Sequence, residues 1–275
     1  MIASEIEGFL REDTGDFDVF HSSLPDEIIR ARIIAKEDGV LAGLEEAVRI
    51  FSHCGISSSR TRVDGDEIAG GDIIIDLEGS SRAILQNERV ALNILGRMSG
   101  IATLTRACVD LVKHTGARIA CTRKTTPGFR RFEKKAVMLG GGDPHRFNLT
   151  DAIMIKDNHI RIYGMDEAYK VAKNAGFVKK IEIEVENSGD AVRAAKLGAD
   201  VIMFDNMDVM SIKDAISVLD DKKLRDSVML ESSGGISADN LVEHAETGVD
   251  VISLGMITRS ARWLDFSLNV SVTGK

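Results

Sequence analysis

The stretch IEIEVENSGDAVRAAKLGADVIMFDN, residues 181–206, decides the fold. A β-branched run over 181–186 is followed by Ala191, Ala194 and Ala195, spaced for one face of a helix and closed by Gly198, and then by a second apolar run over 201–204. Strand, helix and strand in that order signal a βαβ unit and a parallel sheet. The same alternation predicts strands at 117–121, 151–155, 228–231 and 251–254, making six at spacings of about 20 to 30 residues, which suits a barrel of repeated units. Further helix faces are Ala168, Val171, Ala172 and Ala175, closed by Gly176, and Ala238, Leu241, Val242 and Ala245, closed by Gly248.

The first hundred residues read differently. A helix near 4–11, a strand at 31–35, a helix with Leu44, Ala47, Val48 and Phe51 on one face, a strand at 72–77 and a long helix from near Ser81 show no regular alternation. That order predicts a separate α+β unit over residues 1–100, with a boundary near Ser99–Gly100 and a barrel over 101–264. Residues from about 265 to 275 are candidates to return to the first unit.

With 275 residues, 44% hydrophobic and 28% charged, the composition is that of an ordinary globular protein. No run approaches about 18 apolar residues, and MIASEIEGFLRED at the start lacks a basic segment followed by an apolar one, so a cytoplasmic protein is expected. Cys54, Cys108 and Cys121 have no CxxC spacing and read as core thiols. A net charge of −8 argues against nucleic acid and anionic membranes as partners. Yet residues 121–146, CTRKTTPGFRRFEKKAVMLGGGDPHR, hold seven Lys and Arg against two acids, a local +5 that leaves −13 for the rest. Such a segment suits a local pocket for a small anion.

In parallel α/β folds, ligands meet the carboxyl ends of the strands. Read in order, those ends carry Thr122-Arg123-Lys124, Lys156-Asp157-Asn158-His159, Glu184-Val185-Glu186, Asp205-Asn206, Glu231-Ser232-Ser233-Gly234-Gly235 and Ser253-Leu254-Gly255. Six successive ends able to bind an anion, a metal or a proton exceed what a structural barrel needs. Each has a plainer alternative: Lys156 as a solvated charge, Glu184 and Asp205 as salt-bridge partners of Lys156 and Arg123, and the Ser-Ser-Gly-Gly nest as a tight turn. His145 and Arg146 follow Gly140-Gly141-Gly142, a run that lets a backbone approach a ligand closely or lets a loop move. Arg146 offers a planar fork for a carboxylate, whereas Arg130, Arg131, Lys134 and Lys135 read as solvated charge or subunit contacts on a helix.

Taken together, TRKTTPGFR at 122–130, GGGDPHR at 140–146, IKDNH at 155–159, EVE at 184–186, FDN at 204–206, ESSGGI at 231–236 and GVDVISLG at 248–255 resemble the quinolinate phosphoribosyltransferase family. ERVALNILGRMSGIATLT at 88–105 and AKEDGVLAGLEEA at 35–47 extend the resemblance across about residues 30 to 260. It implies an α/β fold made of an incomplete, TIM-like α/β barrel and an amino-terminal open α+β sandwich. It also implies a homodimer with shared active sites, or a higher oligomer such as a hexamer. The implied reaction converts quinolinate and 5-phosphoribosyl-1-pyrophosphate (PRPP) to nicotinate mononucleotide, pyrophosphate and carbon dioxide, with Mg²⁺. By motif position, Arg123, His145, Arg146, Lys124 and Lys156 would line the quinolinate site, with Arg89 arriving from a partner subunit. Lys124 and Lys156 would act through charge, Glu184 and Asp205 would serve the ribose and Mg²⁺, and Ser233, Gly234, Gly235 and Gly255 would cradle the 5′-phosphate.

Two departures from the family pattern stand out: Thr258-Arg259-Ser260 where Thr-His-Ser is common, and GDFD at 15–18 where a threonine often follows Gly-Asp. Competing readings are a molybdenum-associated homologue or a nicotinate-using transferase of the same fold, a barrel aldolase with Lys156 as a Schiff-base amine, and a non-catalytic phosphate binder. The acids Glu184 and Asp205 speak against the binder, and the number of cations favours a dicarboxylate over nicotinate.

Overall fold

Along Ile28–Ala35 (β1) every second side chain from Ala31 onward is buried, the period-two pattern of a strand with one face on a core. β1 belongs to the first of two units in the computed structural model, which describes residues 1–15 and 18–271. The units are Met1–Leu104 together with the chain from Ala261 onward, and Thr105–Ser260. The GDFD departure falls partly on residues 16 and 17, which lie outside the described residues.

In the first unit, α1 (Ala3–Thr14) and α2 (Val19–Ser23) precede β1. Then come β2 (Gly39–Val40), α3 (Leu44–His53), β3 (Ser57–Arg60), β4 (Glu67–Ile68), β5 (Ile73–Ser80) and α4 (Ser81–Val112), whose residues from Thr105 onward belong to the second unit. Leu44, Ala47, Ile50 and Phe51 put one face of α3 into the core with Ile33, Ile75 and Leu77. Arg30 pairs with Glu78 and Arg32 with Asp76 across the two central strands, each at 2.8 Å. Ser99 and Gly100, read as a boundary from sequence, lie inside α4.

The second unit runs β6 (Arg118–Cys121), α5 (Arg130–Leu139), β7 (Ile153–Ile155), α6 (Asp157–Tyr163), α7 (Met165–Asn174), β8 (Ile181–Val185), α8 (Ser188–Leu197), β9 (Val201–Asp205), α9 (Val209–Asp221), β10 (Met229–Ser233), α10 (Leu241–Ala245), β11 (Val251–Leu254) and α11 (Met256–Arg259). Its six strands are all parallel, in the order β6-β11-β10-β9-β8-β7. The first two strands in sequence form its margins, so the barrel is incomplete. Pairing of Glu184 with Met203, Asp205 with Ser233, and Ser233 with Ser253 puts the polar strand ends along one rim.

Local chemistry explains where sequence and structure part. Asn187 caps α8 by accepting the Asp190 amide at 2.8 Å, and Gly198 ends that helix at φ 94°. Ala238 lies outside α10, because the Asn240 side chain accepts the Ser237 amide at 2.8 Å and ties off the preceding turn. α6 has no counterpart in the periodicity. It starts within IKDNH, where the His159 ring accepts the Lys156 amide at 2.9 Å.

Beside β6, the last glycine of the run serves the packing of the chain against itself, which neither of its two readings anticipated. The Asp143 amide donates to Ile119 O at 2.7 Å and the Cys121 amide to Asp143 O at 3.0 Å, a single parallel bridge on the open edge of β6. A Cβ on Gly142 would lie 2.7 Å from Thr105 Cγ2 and 2.9 Å from Val137 Cγ1, so the glycine serves close approach. After α11 the chain returns to the first unit as β12 (Phe266–Ser271), antiparallel to β1 in a sheet ordered β12-β1-β5-β3. Residues 272–275 lie outside the described residues.

Candidate active site

The rim formed by the strand ends surrounds a cavity of about 470 Å³. Ten of the residues singled out from sequence line it: Arg123 and Lys124 after β6, His145 and Arg146 after the bridge, Lys156 after β7, Glu184 in β8, Asp205 in β9, and Ser233, Gly234 and Gly235 at the end of β10. Parallel pairing makes this gathering unavoidable, since every strand delivers its carboxyl end to the same side. Gly255 is outside the lining, but a Cβ there would sit 3.3 Å from Lys124 Cδ, so it leaves room for that side chain. Arg89 is exposed on α4, and Arg259 is exposed on α11 and outside the lining.

Two guanidinium groups dominate the electrostatics. Arg123 Nε is buried with no hydrogen-bond partner among the described residues. Arg146 donates to Ala152 O at 3.2 Å and approaches Met154 Sδ at 3.2 Å, which fixes its plane. Burial and then the charge of Arg123 lower the Arg146 pKa. Like charges held together, one with an unmet donor, form a site that gains from an anion. Lys156 Nζ donates to Glu184 Oε1 at 2.6 Å, with the lysine about half exposed and the glutamate buried. The salt-bridge alternative for Glu184 is therefore realised, yet both groups still line the cavity.

Both ring nitrogens of His145, which lines the cavity, are engaged by protein groups. Its Nδ1 accepts the Arg146 amide at 2.8 Å, so the ring proton sits on Nε2, 3.1 Å from Glu231 Oε2 and 3.6 Å from Glu182 Oε2. The backbone here is left-handed, φ 51°, and is held by the His145 amide donating to Asp143 Oδ1 at 2.7 Å. Burial would lower the His145 pKa, but the Glu231 hydrogen bond and the charges of Glu231 and Glu182 outweigh it, so the net direction is up. Burial and the neighbouring Glu231 push Glu182 up to about 8, against the opposing pull of His145 and Arg146. One oxygen of Glu182 and one of Glu231 are buried without hydrogen-bond partners among the described residues.

These three residues have ligand atoms within 4.8 Å of one another. They nevertheless make a poor metal centre: a cation on Nε2 would displace the only ring proton, because Nδ1 already faces an amide donor. Glu184 and Asp205, hard oxygen donors on adjacent strands, suit Mg²⁺ better, since that ion takes one or two carboxylates and fills its shell with water and phosphate.

At the end of β10, Gly234 and Gly235 have φ of 90° and 63°. A Cβ on Gly234 would lie 2.4 Å from Asn206 Oδ1, and the Asn206 amide donates to Ser233 O at 2.9 Å. FDN and SSGG thus interlock in a backbone nest of the kind that holds phosphate. α10 starts only at Leu241, so the nest does not open directly into a helix, as a face beginning at Ala238 had suggested.

Sequence reasoning missed Glu182 and took Lys134 for a solvated charge. Glu182 stands two residues before Glu184 in β8, and that period-two spacing was the signal available. Lys134 is 1% exposed and Glu133 fully buried, which corrects the reading of this helix as background. The other cations of α5 and its start are also engaged: Arg130 donates to Thr125 Oγ1 at 2.9 Å, and Arg131 lies over the Phe132 ring.

The chain matches the quinolinate phosphoribosyl transferase C-terminal domain over residues 101–269 and the N-terminal domain of the same family over residues 17–99. It is 46% identical over 271 residues to the probable nicotinate-nucleotide pyrophosphorylase (carboxylating) of Methanothermobacter thermautotrophicus, spanning 96% of this chain and 97% of that one. Human nicotinate-nucleotide pyrophosphorylase (carboxylating) is 36% identical over 273 residues, 98% of this chain and 91% of the human one. The structure of nicotinate-nucleotide pyrophosphorylase from Francisella tularensis superposes with a TM-score of 0.91 at 35% identity, covering 97% of this chain and 94% of that one.

Proposed function

The chain belongs to the quinolinate phosphoribosyltransferase family, and from that premise we propose that its cavity transfers the phosphoribosyl group of PRPP to the ring nitrogen of quinolinate, with loss of the adjacent carboxylate. The products are nicotinate mononucleotide, pyrophosphate and carbon dioxide. The observation that carries this reading is the pair Arg123 and Arg146, guanidinium groups close enough to oppose each other's charge, one with an unpartnered buried nitrogen.

Quinolinate brings two carboxylates, which the two guanidinium forks bind directionally. Lys124 and Lys156 add charge beside them without forming a covalent bond. Glu184, anchored by Lys156 at 2.6 Å, and Asp205 face the ribose, where positive charge develops as the glycosidic bond lengthens. The ring nitrogen then bonds to the ribose carbon, the quaternised ring accepts the electron pair left by departing carbon dioxide, and a proton replaces it. Mg²⁺, which the oxygens of Glu184 and Asp205 suit, supplies charge neutralisation on the pyrophosphate when bound. Ser233, Gly234 and Gly235 bind the 5′-phosphate through the nest, with Gly255 leaving space for Lys124. His145 contributes by shaping the backbone before Arg146 rather than by a ring nitrogen on the substrate.

Arg89, exposed on α4, completes the carboxylate site of a second copy in a homodimer, which is the minimal active form of a cytoplasmic enzyme. Among the described residues no helix is long and apolar enough to cross a membrane. Incubation with quinolinate, PRPP and Mg²⁺ tests the function: one carbon dioxide released per nicotinate mononucleotide formed supports it, and nucleotide formation without carbon dioxide, or neither product, refutes it.

A further inference from the structure

Two neighbouring charged residues on α5, Glu133 and Lys134, are 0% and 1% exposed. Consecutive acidic and basic side chains buried in one helical turn are rare, and each carries a steep desolvation cost unless its partners satisfy it. Hydrocarbon of similar length would pack the same space at no such cost. Their partners show what the charges hold. Glu133 accepts the Thr126 amide at 3.1 Å and the Thr126 hydroxyl at 2.9 Å. Thr126 closes the turn after Arg123 and Lys124, in which the Thr125 amide donates to Arg123 O at 2.9 Å.

Lys134 reaches the other arm. Its ammonium donates to Pro144 O and lies 3.3 Å from Cys121 Sγ, while the Cys121 thiol donates to the same Pro144 carbonyl at 3.2 Å. Pro144 immediately precedes His145 and Arg146. The segment it ends is otherwise joined to β6 through the backbone bridge at Asp143 and an Arg118–Asp143 ion pair at 3.7 Å.

We propose that Glu133 and Lys134 are positioning residues: one turn of α5 grips both loops of the cationic site, Glu133 setting Arg123 and Lys124, and Lys134 setting His145 and Arg146. The inference rests on reading the cavity as a dicarboxylate site. It assigns the charges of α5 to the spacing of the two guanidinium groups, on which recognition of adjacent carboxylates depends. A misplacement of about 1 Å in such a site costs up to about a hundredfold in rate.

Lys134→Met, which keeps length and packing, and Glu133→Gln test the assignment in the full-length protein. The measurements are the melting temperature, separate KM values for quinolinate and PRPP, and calorimetric binding of benzene-1,2-dicarboxylate. The expected result for Lys134→Met is a melting temperature at or above that of the wild type, a rise of tenfold or more in the quinolinate KM, a PRPP KM within twofold, and a matching loss of dicarboxylate affinity. Glu133→Gln should shift the quinolinate KM in the same direction. Unchanged dicarboxylate binding in Lys134→Met overturns the proposal. So does failure of that variant to fold, or a parallel rise in both KM values, since the charge would then serve the fold alone. A wild-type protein that does not turn over quinolinate refutes the functional reading instead.

Discussion

His145 Nε2 lies 3.1 Å from Glu231 Oε2, and this contact joins a histidine of the cavity lining to a glutamate of the same lining. The second ring nitrogen accepts the Arg146 amide, so Glu231 orients the imidazole and the imidazole orients the backbone that aims Arg146. Glu231→Gln removes the charge while keeping an acceptor. The raised pKa of His145 means that its imidazolium gains more from Glu231 and Glu182 than it loses at Nδ1, where the second proton gives up the Arg146 amide, so the charged pairing with Glu231 stabilises fully below the unfolded value near 6.5 and fades as pH rises through the folded value. Thermal melts should therefore show a larger deficit for Glu231→Gln at pH 6 than at pH 9. An equal deficit at both would contradict the pairing.

Glu182 predicts a pH effect through the opposite charge type. Its folded pKa, about 8, is above the ordinary carboxyl value of 4.5, so the folded protein keeps a proton that the unfolded chain releases between those limits. Stability conferred by this group thus falls as pH rises from about 4.5 to 8. Glu182→Gln, permanently neutral, should gain stability relative to wild type across that window, read as a difference in urea midpoint. A constant difference from pH 5 to pH 8 would rule out a protonated Glu182.

Arg123→Ala and Arg146→Ala should each lower kcat/KM for quinolinate by about 10- to 100-fold, the loss expected for hydrogen bonds to a charged group of about 1.5–3 kcal/mol. The rise should be mainly in the quinolinate KM. Steady-state kinetics on folded variants provide the check, and wild-type values for either would remove the guanidinium pair from the substrate site.

Gly234→Ala places a Cβ at φ 90° and 2.4 Å from Asn206 Oδ1. Backbone strain of this kind costs about 1–3 kcal/mol. The PRPP KM should rise more than the quinolinate KM, because the nest is displaced from the phosphate and the guanidinium groups stay in place. An unchanged PRPP KM would place the phosphate elsewhere.

Much of the second unit was legible because its strands are short apolar runs and its rim residues follow them directly: 201–204 ends at Asp205, and 181–186 contains Glu184. The pairing that closes β7 and β8 against the rest is non-local, and no residue in IEIEVE announces which neighbour it takes. Boundaries slipped where side chains compete with backbone, as at Asn240, which shortens α10. Charge was the least legible property. Lys134 and Lys135 are adjacent in sequence and equally basic, yet Lys134 is buried because its position on α5 faces Pro144 and Cys121. His145 was found as a site residue, but its role depended on two partners, Glu231 and the Arg146 amide, whose convergence is a tertiary fact.

The central claim, a cavity built for two adjacent carboxylates, is tested most directly by the ratio of kcat/KM for quinolinate to that for nicotinate, measured with PRPP and Mg²⁺ on the wild-type protein. One missing carboxylate leaves a guanidinium group without its anion, so the ratio should exceed about a hundredfold in favour of quinolinate. Equal turnover of the two, or preference for nicotinate, would contradict it.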